Sequence, residues 1–144
     1  MADTHLMTVP QLTAPRYLTG EQTVEIRIST EPNAPFGCVA PGDTVYIKPE
    51  GQGVIGKATV HRVDQYDGLS LDDLDRLQAI YSDKSGNDGR VWEARATSNF
   101  ATIITLDRVH LITDESNVPS ALMNQSGSSW VALSQTQQNH RRAA

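Results

Sequence analysis

The chain has 144 residues, 17 acidic against 12 basic side chains for a net charge of −5, and a single cysteine, Cys38. That length suits one domain with its own core, and one cysteine excludes an intrachain disulfide or a cysteine-built zinc site. The acidic balance excludes indiscriminate phosphate binding, which rests on cationic side chains, so any nucleic-acid role is local and runs through a cleft.

Residues 1–15 lack the basic start and apolar run of a signal peptide, and no stretch approaches the ~20 apolar residues of a membrane span. A soluble cytoplasmic protein with no membrane partner is expected. Residues 1–14, with Pro10 leading to Pro15, read as an irregular lead-in, in which Leu6, Met7 and Val9 offer at most a short first strand. From Gly20 the pattern sharpens: Val24, Ile26 and Ile28 alternate with Glu25, Arg27 and Ser29. A strand puts these two sets on opposite faces, one apolar and one polar. Thr30 to Pro41, with Pro32, Pro35, Gly37 and Pro41, cannot be a regular element and reads as a long, partly rigid loop.

Pro41-Gly42-Asp43 is a turn, after which Thr44 to Lys48 alternates as a second strand, Val45 and Ile47 against Tyr46 and Lys48. Val54 to Val63 follows as a third, and Gly56 inside it marks a bulge or a close backbone approach. At Ser70 the period changes. Leu71, Leu74, Leu77, Ile80 and Tyr81 fall at helical spacing, Ser70 is a good N-cap, and Asp72 and Asp73 suit the positive end of the helix dipole, so a helix is predicted over 70–82. Gly86-Asn87-Asp88-Gly89 reads as flexible, with a short helical turn after it presenting Trp92. Phe100 to Ile112, rich in β-branched residues, is one strand interrupted near Asp107 or two in succession. Trp130 to Leu133 is a closing strand, and 134–144 a solvated tail. The fold class is mainly β with a helical insertion: a small antiparallel β-barrel.

In this order, Gly20-x-Gln22-x-x-Glu25-x-Arg27, Ala34-Pro35-Phe36-Gly37, Pro41-Gly42-Asp43-Thr44-Val45-Tyr46-Ile47-Lys48, Gly56-Lys57-Ala58-Thr59-Val60, Val91-Trp92-Glu93 and Phe100-Ala101-Thr102-Ile103-Ile104 resemble the ASCH domain, a member of the PUA-like barrels. The resemblance covers residues 15–133. It implies a compact barrel with a polar cleft beside the Gly20 to Ser29 strand, binding RNA or a modified base; some relatives hydrolyse acetylated cytidine, and nuclease activity is attributed to others. The relatives often carry lysine where this chain has Gln22, and the amidohydrolase-type members add a threonine where this chain has Glu25. A glutamine amide neither takes up a proton near neutral pH nor acts as a nucleophile, which disfavours the amidohydrolase form.

With that resemblance, the candidate ligand- or RNA-binding residues are Gln22, Glu25, Arg27, Ser29, Tyr46, Lys48, Lys57 and Trp92. Arg27 would grip a phosphate or base edge in bidentate fashion, Glu25 would accept from an exocyclic amine, and Trp92 would stack on a base. If the chain is an enzyme, a ribonuclease or other hydrolase, Glu25, Lys48 and Tyr46 are the catalytic candidates. Plainer readings stand beside these: a surface Glu25–Arg27 pair, a solvated edge lysine at Lys48, core packing for the aromatic rings. A third function is protein interaction through the acidic helix at Asp72, Asp73 and Asp75. His5, His61, His110 and His140 show no metal-ligand spacing, the serines at 126, 128 and 129 no triad spacing, and neither metal nor cofactor is expected. The expected partner is RNA or a nucleotide-like ligand, and oligomeric state is left open. Arg27→Ala is predicted to weaken RNA binding with little change in melting temperature.

Overall fold

The computed structural model describes residues 2–81, 92, 98–123 and 128–133. The glycine-rich stretch 86–89, Val91, Glu93 and the tail 134–144 lie outside them.

Six strands, β1 (Thr4–Val9), β2 (Val24–Ser29), β3 (Thr44–Pro49), β4 (Gly56–Tyr66), β5 (Phe100–Leu111) and β6 (Trp130–Leu133), form one curled sheet in the order β2-β5-β4-β3-β1-β6. The helices are α1 (Ala14–Thr19), α2 (Leu71–Tyr81) and α3 (Ser120–Met123), the last preceded by a 3-10 turn at Glu115–Asn117. Alternation decides which side chains enter the barrel. Met7, Val9, Val45, Ile47, Ala58, Val60, Ile104 and Leu106 pack inside with Tyr17 and Trp130. Val24, Ile26, Ala101 and Ile103 face outward and are covered by Leu74 and Leu77 of α2 together with Trp92. Leu6 and Tyr46, also outward, are covered by Val118 and Leu122.

The predicted helix, strands β2 and β3 and the prolyl loop are found close to their expected bounds. Three features differ, and the strand from Phe100 resolves a choice that the sequence left open. Thr4–Val9 is a full strand between β3 and β6, so the lead-in belongs to the barrel. Its pairing with β3 is parallel, Thr4 opposite Thr44 through Val9 opposite Pro49, within an otherwise antiparallel sheet. Ala14–Thr19 is helical despite its proline, because Pro15 falls in the first turn, where a backbone N–H has no intrahelical acceptor; Gly20, at φ 80°, ends the helix in the left-handed conformation. The stretch from Phe100 is one strand, with a bulge that accommodates Arg108 at φ 51°.

Gly56 is a close approach. A Cβ there would lie 3.1 Å from Leu18 Cδ2, so the glycine lets α1 sit on the sheet. A buried polar latch secures β1. His5 Nε2 and Asp43 Oδ2 are 2.8 Å apart, the Asp43 carboxylate also accepts from the backbone N–H of Asp3 (3.0 Å) and Ala40 (2.9 Å), and Trp130 Nε1–H donates to His5 Nδ1 at 3.2 Å. With Nδ1 as acceptor, Nε2 carries the proton donated to Asp43.

Candidate functional site

Strand β2 brings its polar side chains into the barrel. Glu25 pairs with Ile104 and Arg27 with Thr102 across to β5, and Ile104 is an interior residue, so Glu25 and Arg27 share that interior face. Both faces of β2 are therefore covered, the apolar one by α2 and the polar one by the barrel itself.

The polar face is a connected network. Tyr17 O–H, from α1, donates to Glu25 Oε1 at 2.5 Å, and Arg27 Nε donates to Glu25 Oε2 at 2.6 Å. Gln22 Nε2 donates to the Tyr17 hydroxyl at 3.0 Å and to the Val24 carbonyl at 3.1 Å. Burial, then the adjacent Glu25 carboxylate, push the Tyr17 phenol well above its ordinary pKa near 10.0. It remains a donor across the physiological range. Gln22 is buried and its Oε1 has no hydrogen-bond partner among the described residues.

Arg27 also spans the two edges of the sheet. Nη1 donates to Ser129 Oγ at 2.9 Å and to the Ser129 carbonyl at 3.3 Å, Nη2 donates to the Thr8 carbonyl at 3.0 Å, and the guanidinium lies 5.4 Å from the Trp130 ring centroid. These contacts tie edge strand β2 to the beginning of edge strand β6 and to β1. A guanidinium has five N–H donors; Glu25, Ser129 and Thr8 take four, leaving one on Nη2 without an acceptor among the described residues. The bidentate grip expected of Arg27 is thus already spent on the fold, and a ligand meets a single free N–H unless Ser129 yields.

Beside this seam lies a cleft of about 190 Å³ lined by Arg27, Ile28, Ser29, Asn33, Ala34, Pro35, Thr102 and Ser129. Among the described residues it carries one cation, three hydroxyls, one carboxamide and apolar walls, with no carboxylate. The Ser29 hydroxyl donates to the Glu31 carbonyl at 2.5 Å, so it faces a ligand as an acceptor. Asn33 is exposed, and no hydrogen bond of its side chain occurs among the described residues, which leaves donors and acceptor free. The loop carrying Asn33 to Pro35 is pinned by the Gly37 N–H donating to Gln65 Oε1 and by Phe36 packing edge-on against Phe100, centroids 5.1 Å apart.

The structure separates the other sequence candidates from this cleft. Tyr46 and Lys48 alternate with the interior Val45 and Ile47, and Lys57 lies opposite Tyr46 with its ammonium 5.9 Å from that ring. All three occupy the outer face, where burial raises the Tyr46 pKa. Glu25, Tyr46 and Lys48 consequently do not converge on one reacting atom. Trp92 is 3% exposed, its ring packed among Val24, Ile26, Leu74 and Leu77, so the expected base-stacking surface is instead part of the core over α2. The Lys48 strand is interior to the sheet, which removes edge protection as its explanation. The sequence reading missed Tyr17, Asn33, Thr102 and Ser129. Only Asn33 left a local signal, a polar amide in a prolyl loop next to the recognised strand; the rest become neighbours of Arg27 only through tertiary pairing.

No family model matches the sequence, and no curated protein matches it. Solved structures do match. The crystal structure of ASCH from Zymomonas mobilis superposes with a TM-score of 0.68 at 16% identity, covering 97% of this chain and 94% of that one. A serine-to-alanine variant of the same protein gives 0.69 with the same identity and coverage. A tyrosine-to-phenylalanine variant gives 0.65, again at 16%, over 97% and 96% of the two chains. The chain therefore has the ASCH fold, a PUA-like small barrel with a helical insertion.

Proposed function

We propose that this chain is an RNA- or nucleoside-binding module whose ligand enters the cleft bounded by Arg27, Ser29, Asn33, Thr102 and Ser129. The observation that carries the reading is that Asn33, whose carboxamide is uncommitted among the described residues, lines a cleft together with Ile28, Ala34, Pro35 and Arg27. A carboxamide offers a donor and an acceptor side by side, the pattern that reads the hydrogen-bonding edge of an unpaired base, and the apolar walls accept its faces. Size points the same way: about 190 Å³ lies below the ~300–1,000 Å³ of pockets that hold drug-sized ligands, so one base ring fits rather than a folded oligonucleotide.

Within this reading Glu25 is a positioning group. Both of its oxygens are taken, one by Tyr17 and one by Arg27, so it orients the guanidinium instead of touching the ligand. The ASCH fold is compatible with the reading, and the local cation in an acidic chain fits binding through one pocket. Titrating the protein with cytidine, uridine and adenosine, alongside Asn33→Ala, tests it. The variant should lose about tenfold in affinity, one net hydrogen bond, with stability within about 0.5 kcal/mol of the parent, as for other surface changes. Equal affinity in parent and variant would remove Asn33 from the site, and absence of nucleoside binding by the parent would end the reading.

A further inference from the structure

Strands β3, β4 and β5 carry a second group of basic side chains on the surface away from the cleft. Cross-strand register sets Tyr46 opposite Lys57 and Lys57 opposite His110, neighbours about 5 Å apart at Cα. Lys48 follows two residues along β3 on the same face. Lys57 and His110 are exposed. Among the described residues Lys48, Lys57 and Arg108 form no salt bridge, and Asp107, the acid next to Arg108 in sequence, pairs with His61 at 3.5 Å.

Arg108 is the telling member. Leu106 and Val109, three residues apart, both pack on the barrel interior, so one extra residue is looped out of β5 between them, where the β4 register shifts between Lys57 and Thr59. Arg108 occupies this bulge at φ 51° and is exposed. The left-handed conformation favours glycine and is strained for other side chains. An arginine there costs stability, and no ion pair within the described fold offsets it. Edge protection, the common reason for lysine on strands, does not apply either, because β3, β4 and β5 are all interior to the sheet.

We propose that Lys57, Arg108 and His110, with Lys48 beside them, form a phosphate-contacting surface that tracks the backbone of single-stranded RNA, separate from the base-reading cleft. The inference rests on the RNA-binding reading above and adds the surface that extends it from a nucleoside to a strand. Lys57 and Arg108 supply the fixed charges, and His110 supplies a ring N–H donor in either protonation state.

The test is the salt dependence of binding to a fluorescent single-stranded oligouridylate. Each phosphate contact on a single strand contributes about 0.7 to the slope of log K against log salt. Lys57→Ala combined with Arg108→Gly should therefore flatten the slope by about 1.4 and weaken binding several-fold at low salt. Uridine and cytidine affinities should not change. Arg108→Gly alone should raise the melting temperature while weakening oligouridylate, a split that a purely structural arginine would not give. An unchanged slope, a parallel loss of nucleoside affinity, or equal competition by polyglutamate would each overturn the proposal. Nucleoside binding without oligouridylate binding overturns this surface and leaves the cleft standing; a slope that responds to Lys57 and Arg108 with no nucleoside binding does the reverse.

Discussion

Arg27 serves the fold first, from a position that lines the proposed cleft. Its four donated bonds to Glu25, Ser129 and Thr8 close the gap between the sheet edges, and only the remaining N–H is left for a ligand. Arg27→Ala should therefore lower stability by about 3 kcal/mol, the scale of breaking a largely buried ion pair, as measured by urea denaturation. This revises the expectation of a nearly unchanged melting temperature, which treated Arg27 as a ligand-binding side chain without structural bonds. Tyr17 makes a second prediction. Because its folded pKa is raised, its contribution to stability is fully present below the unfolded value near 10 and is lost as pH climbs through the folded value. Tyr17→Phe should be less stable than the parent at pH 8 and should lose part of the parent's steep alkaline destabilisation; parallel stability–pH curves would show that Tyr17 titrates no differently in the folded chain.

Among the elements, α2 is the one that local sequence specifies best. Its leucines recur at helical spacing, and its start carries reciprocal capping, Asp73 N–H to Ser70 Oγ at 3.2 Å and Ser70 N–H to Asp73 Oδ2 at 3.0 Å. These bonds hold the Asp73 carboxyl below its ordinary pKa, so the cap is intact above the usual carboxylate range and weakens as pH falls through it. Leu74→Ala should cost about 2–5 kcal/mol and change nucleoside affinity little, because Leu74 packs on the outward face of β2 and reaches the cleft only through Ile28, which joins the Leu74 cluster and also lines the cleft; a matching loss of affinity would mean that Ile28 couples the two. Periodicity made β2, β3 and α2 legible for the same reason, since alternation and helical spacing are local. The α1 helix was not legible, because two prolines within six residues suggest a loop and only position relative to the first turn reverses that. The split between Arg27 on the inner face and Tyr46, Lys48 and Lys57 on the outer one was also out of reach. Alternation tells which residues share a face of one strand, but whether the polar face of β2 and the polar face of β3 meet depends on sheet order and curl.

Over the whole molecule, a net charge of −5 is distributed so that the cleft itself is lined by one cation and no carboxylate. No described helix is long and apolar enough to cross a membrane. The His5–Asp43–Trp130 latch and the Arg27 seam hold β1 and β6 against the rest of the sheet from two sides, and Trp130 touches both. The cleft walls are thus fixed by tertiary contacts on the inside, while the side chains that would touch a ligand, Asn33 and Ser29, stand at its rim on a pinned loop and a strand end. The central claim is that this cleft takes an unpaired base. The most direct measurement is an amide chemical-shift titration of the isotope-labelled protein with cytidine and uridine: saturable shifts should concentrate at Ser29, Asn33, Ala34, Thr102 and Ser129, and shifts that are absent there, or that appear only on the outer face of β3 and β4, would contradict it.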